Sequence, residues 1–231
     1  MKRRQYIVAT SGTTLLALGS AGAQEGSGDE ESDESEWPPF VPDDFEPDPF
    51  EFEGEGSEIR EGIEIDGGLT VVRAAYDGPE IGTFIVEFVP EEGDVGDLFQ
   101  NQLEPYEGER AAAVEAGTYV VDVEADGEWS LAVYQPRAES GNSPPVEVSG
   151  ETDRVFGPYE FGGTHVATGS HTGEGNFIVE VVPMEVGQFG GFSELVFNEI
   201  GAVDGIETAF QYEGIGWVGV RADGEWTLAM E

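Results

Sequence analysis

The chain has 231 residues, 49 of them acidic and nine basic, for a formal net charge of −40, and it has no cysteine. That balance excludes nucleic acid as a direct partner, because no basic patch can be assembled from so few and so scattered cations. An anionic membrane surface is disfavoured on the same ground, and disulfide and thiolate chemistry are ruled out.

Residues 1–23 carry the pattern of a signal peptide. Lys2, Arg3 and Arg4 form a basic start, Ile7 to Leu18 a modest apolar stretch, and Ala21-Gly22-Ala23 a small-residue cleavage site before Gln24. Arg3-Arg4-Gln5-Tyr6-Ile7 resembles the twin-arginine translocation motif, which implies a secreted chain exported by that route. No cysteine follows to carry a lipid, and the stretch is short for a membrane span, so no membrane insertion is expected after cleavage.

Residues 24–57 read as a disordered, proline-rich acidic linker, with 14 Asp and Glu, five prolines and no Lys or Arg. Such a stretch repels itself and buries too little apolar area to offset the entropy of ordering. Its aromatics (Trp37, Phe40, Phe45, Phe50 and Phe52) are expected on an extended spacer rather than docked on a sheet edge.

Beyond the linker the chain repeats itself. Thr83-Phe84-Ile85-Val86-Glu87 returns as Asn176-Phe177-Ile178-Val179-Glu180, and Ala125-Asp126-Gly127-Glu128-Trp129 returns as Ala222-Asp223-Gly224-Glu225-Trp226. The offset is 93 before the loop that starts at Glu91 and 97 after it, so the second copy carries a four-residue insertion there. Connections tolerate such length changes. An Asp-Gly pair between alternating apolar runs predicts a hairpin in each copy. Residues 109–115 alone would read as helix. Their counterparts, residues 206–212, alternate β-branched and aromatic residues, and one fold must serve both copies, so both are strands.

The prediction is an all-β chain: two tandem β-sandwich repeats, jelly-roll-like or immunoglobulin-like, of seven or eight strands each. They occupy residues 58–136 and 151–231, with a polar connector at 137–150. Tyr119, Val121 and Val123 should share one buried face, as should Trp129, Leu131 and Val133, and Trp226, Leu228 and Met230 repeat the last set. Trp217 replaces Val120 and is assigned to a domain interface or to an exposed contact.

Catalytic residues are not apparent. The only histidines are His165 and His171, there is no Gly-x-Ser-x-Gly elbow, and the adjacency of Ser170 and His171 is not triad geometry. Among 49 acids a carboxylate pair carries no signal. Glu91, Glu92, Asp94 and Asp97 place hard oxygen ligands in one turn-rich loop, where calcium is the one cofactor the sequence suggests against a solvated acidic loop. The corresponding loop in copy two keeps only Glu185 and Glu194. Trp217, with Phe189 and Phe192 of the inserted loop, is the candidate ligand-binding aromatic set.

An acid-loaded surface without lysine after residue 2 resembles proteins of extremely halophilic archaea, whose fold is screened in molar salt. Asn176-Phe177-Ile178-Val179-Glu180, the run from Leu195 to Gly201, and the run from Ala222 to Leu228 resemble uncharacterised secreted tandem β-sandwich repeat proteins of haloarchaea. The resemblance covers about residues 58–231 and implies fold, not activity. The expected function is therefore non-enzymatic: an extracellular or cell-surface protein of a halophile, binding or scaffolding through its tandem modules. Its partners would be a cell-surface component, a polysaccharide or a secreted protein, and it would be a monomer or weak oligomer. The alternative is a carbohydrate-binding or accessory module that works with a separate secreted enzyme.

Overall fold

A computed structural model describes residues 49–231 apart from 94 and 188–190. The signal sequence and the linker up to residue 48 lie outside the described residues. Among the described residues all fourteen elements are strands.

Copy one contains β1 (Phe50–Glu55), β2 (Glu58–Ile65), β3 (Gly68–Asp77), β4 (Phe84–Pro90), β5 (Asp97–Gln102), β6 (Tyr106–Val114), β7 (Gly117–Ala125) and β8 (Glu128–Tyr134). They build two antiparallel sheets, ordered β1-β8-β3-β6 and β2-β7-β4-β5. First strand pairs with last, second with seventh, third with sixth and fourth with fifth. That is a jelly roll, a long hairpin rolled into two facing sheets.

Copy two contains β9 (Val146–Gly150), β10 (Arg154–His171), β11 (Asn176–Pro183), β12 (Glu194–Ile200), β13 (Val203–Arg221) and β14 (Trp226–Met230). Its six strands are joined in the order β12-β11-β13-β10-β14-β9. The pairing is nonetheless that of copy one. The first part of β10 and the last part of β13 take the places of β2 and β7, and their other parts take those of β3 and β6. Copy one breaks at Asp66-Gly67 and Glu115-Ala116, whereas copy two keeps pairing through a bend at Gly163 and Gly214. Both of these adopt left-handed backbone, with φ of 100° and 110°, as corners that pass a strand from one sheet to the other require.

The Asp-Gly prediction needs correcting. β7 and β8 do not pair; they lie in opposite sheets, and Asp126-Gly127 is the corner between them. Tertiary contacts hold this corner. Asp126 accepts the Thr83 N–H at 2.8 Å and donates its own N–H to the Thr83 carbonyl at 3.0 Å. A side chain on Gly127 would come within 2.3 Å of the Asp77 carbonyl. Asp223 does the equivalent in copy two, accepting the N–H groups of Glu174 and Gly175.

The core residues are those expected, now facing each other across two sheets. Tyr119, Val121 and Val123 oppose Trp129, Leu131 and Val133 in one cluster, and Trp226, Leu228 and Met230 lie in the other. Residues 109–115 fall in β6 and its following turn, with no helix.

Two boundaries also move. The linker was predicted to run to residue 57, but β1 pairs with β8 and packs Phe50 and Phe52 on the core. The connector was predicted to run to residue 150, but β9 is the matching first strand of copy two and pairs with β14. In each, a glycine makes room for the indole: a side chain on Gly54 would come within 2.4 Å of Trp129, and one on Gly150 within 2.5 Å of Trp226.

Candidate functional site

Copy one turns the outer face of its first sheet toward the outer face of the layer that β12, β11, the end of β13 and the start of β10 form in copy two, the counterpart of copy one's second sheet. A separate apolar cluster fills the junction, with Leu69, Val71 and Ala111 on one side and Val155, Val182, Met184 and Trp217 on the other. Trp217 is 4% exposed. Its indole N–H donates to the Met184 sulfur at 2.9 Å, and its ring lies over Gly157, where a side chain would come within 2.9 Å. Trp217 is therefore not an exposed ligand contact, because the junction buries it. The inserted loop finds its use here. Met184 accepts the Leu69 N–H at 3.0 Å, and Gly191 sits where a side chain would come within 2.3 Å of Ala113.

Beside the apolar cluster lies a polar lock. Asp153, 4% exposed, accepts from Arg110 Nε at 2.7 Å, from the Tyr106 hydroxyl at 3.0 Å and from the Ala222 N–H at 2.9 Å. Gln100 in turn donates to the Tyr106 oxygen at 3.2 Å. Burial and the neighbouring Asp153 carboxylate push the Tyr106 phenol above its ordinary range, so it stays a proton donor. Glu109, 2% exposed, is bound by Arg73 at 2.8 Å, with Arg154 3.9 Å away. Each buried carboxylate thus has cationic company, as burial demands.

Asp153, Arg110, Tyr106 and Ala222 of this lock line a 540 Å³ cleft between the two sandwiches. Copy one contributes Leu98, Asn101, Gln102 and Arg110, and copy two contributes Asn176, Ile178 and Arg221. Arg221 is held by Glu180 at 3.2 Å. The walls hold amides and guanidinium groups that donate, carboxylates of Glu104, Glu107 and Glu151 that accept, and two aliphatic side chains. Such a set can bracket a ligand rich in hydroxyl groups, and a junction between modules is a common place for one. Every arginine of the described chain is engaged with a carboxylate or a carbonyl: Arg60 with Glu58, Arg137 with Leu69 and Gly67, and the other four as above.

The other residues singled out by sequence fall elsewhere. Phe192 is 80% exposed on the inserted loop, while Phe189 lies outside the described residues. Glu91, Glu92 and Asp97 line a 770 Å³ cavity with Glu115 and Tyr119 of copy one and Gly191 of copy two, and Asp94 lies outside the described residues. Among the described residues no three His, Asp or Glu side chains converge as a metal ligand set. The Asp97 carboxyl is pushed up by burial and then by the Glu115 charge.

His171 is buried, stacked on Phe177 at 5.2 Å, with Nδ1 3.1 Å from the Gly201 carbonyl. Its Nε2 lies 3.2 Å from Asp223 Oδ1, within ion-pair distance but not aligned as a hydrogen bond. It fills the place that Tyr76, stacked on Phe84 at 4.9 Å, fills in copy one. Ser170 points to the other face of the strand and accepts the Gly205 N–H. The pair is no nucleophile and base.

The cleft itself was not legible in sequence, since Asn101, Asn176 and Arg221 stand about 120 residues apart at the extremes and meet only through the junction. No known protein-family model matches the chain, and no curated protein matches it either.

Proposed function

We propose that this chain is an exported, non-catalytic binding module of a halophile's surface, in which two locked jelly rolls offer the cleft between them to a hydroxyl-rich ligand such as a surface polysaccharide. The observation that carries this reading is the cleft, walled by both sandwiches with amides and guanidinium groups. The acidic surface supports the halophilic setting: with −40 on the chain and each described arginine engaged, molar salt is what screens the remaining repulsion. A second reading, an accessory carbohydrate-binding module for a separate secreted enzyme, draws on the exposed ring of Phe192.

The mature chain should co-sediment saturably with haloarchaeal envelopes in molar salt, and the binding should survive a chelator. A folded chain that stays in the supernatant contradicts the surface reading. Hydrolysis of a polysaccharide by the purified chain would overturn the non-catalytic part.

A further inference from the structure

The junction joins two different faces: the first sheet of copy one and, in copy two, the counterpart of the second sheet. Since the copies share one topology, each also has the face that the other uses, and the described residues leave one face of each kind uncovered. The strand registers identify the equivalent positions. Val71 pairs with Ala111 in copy one as Val166 pairs with Ala209 in copy two. Val182 pairs with Trp217 in copy two as Val89 pairs with Val120 in copy one. Val155, opposite Gly219, matches Ile59, opposite Asp122.

The covered members are buried, Val71 at 0% and Val155 at 1% exposed, while their uncovered counterparts Val166 and Ile59 are 38% and 59% exposed. An isoleucine that open to water on a sheet face is the notable member, because its counterpart is a closed contact. On copy one's free face the apolar positions Ile59, Val89 and Val120 are kept, with Glu91 where Met184 stands and Asp122 where Gly219 stands; on copy two's, Val166 and Ala209 are kept, while Thr164 stands where Leu69 does, Gln211 where Ala113 does and Glu231 where Tyr134 does.

We propose that these two faces bind each other between chains, so that a second copy of this protein docks head to tail as copy two docks on copy one. A contact between unlike faces is not a two-fold one, so repeating it carries the assembly past a dimer, into an open stack or, where the rotation closes, a ring. The acid borders set the condition: like charges oppose the contact in dilute salt, and molar salt reduces their reach to about 3 Å while favouring apolar burial. The inference rests on the internal junction and not on what the cleft binds.

Sedimentation velocity of the full chain tests it. In molar salt the mean mass should rise with concentration past that of a dimer, and it should fall back to the monomer's in dilute salt if the fold persists. Ile59→Glu and Val166→Glu each spoil one face, so each variant alone should stay monomeric. Their equimolar mixture should form a one-to-one complex and nothing larger, because one intact face of each kind remains. Val120→Asp and Ala209→Glu give a second pair should either of the first fail to fold. A wild-type chain that stays monomeric when concentrated in molar salt overturns the proposal, as do single variants that associate like the wild type or a mixture that forms no complex.

Discussion

Trp217 and Met184 lie 2.9 Å apart, indole nitrogen to sulfur, and together close the junction between the sandwiches. Both stand where copy one has smaller or charged residues, Val120 and Glu91. The repeat diverged at the surface that its partner covers.

Removing that indole should uncouple the two sandwiches. Trp217→Ala opens a large cavity in a buried cluster, a loss of roughly 3–5 kcal/mol, and calorimetry should then show two transitions where the wild type shows one. Gly68→Ala tests the other side of the same contact. Gly68 has φ of 96°, and a side chain would come within 2.4 Å of the Met184 carbonyl, so the substitution should cost about 1–3 kcal/mol. A single unshifted transition in both variants would show the junction to be marginal.

The acidic loop makes an opposite prediction. The Asp97 carboxyl binds its proton more tightly in the fold than in the unfolded chain, through burial and then Glu115. Its favourable contribution is present below the ordinary carboxylate range and is lost as pH rises through the raised value, so the ionised group opposes folding at neutral pH. Asp97→Asn should raise Tm at pH 7, and the gain should shrink toward zero as both forms become neutral in acid. A lower Tm for the variant in the presence of calcium, at neutral pH, would instead reveal a bound cation.

The first strand is tested by Phe52. Its ring packs on the first core and its backbone pairs with Leu131. Phe52→Ser should lower stability by about 2–4 kcal/mol, toward the size of a large-to-small core change though reduced by partial exposure. Denaturant unfolding checks it, and a spacer without contacts would give no change.

Much of the fold was legible because the chain states it twice. The comparison of residues 109–115 with 206–212 turned an apparent helix into β6, and alternation named the core on both sides of each corner. Two local signals misled for physical reasons. Asp126-Gly127 has hairpin chemistry, but bonds to Thr83 and close packing on Asp77 turn the chain toward the opposite sheet. Phe50-Glu51-Phe52-Glu53-Gly54 and Val146-Glu147-Val148-Ser149-Gly150 are matching alternating strands, each hidden at the end of a stretch whose composition reads as linker. For Trp217 the sequence left two places open, and only the junction decided between them. The cleft left no trace in sequence because neither copy builds it alone.

The most direct test of the account is a titration of solubilised envelope polysaccharide into the folded chain in molar salt, wild type against Asn101→Ala/Asn176→Ala. Both asparagines are exposed, one on each wall of the cleft, so the double variant should keep the wild-type melt. The account predicts saturable heat for the wild type and at least a tenfold weaker affinity for the variant, about 1.4 kcal/mol or more. Equal affinity for the two proteins, or no heat from a well-folded wild type, would contradict it.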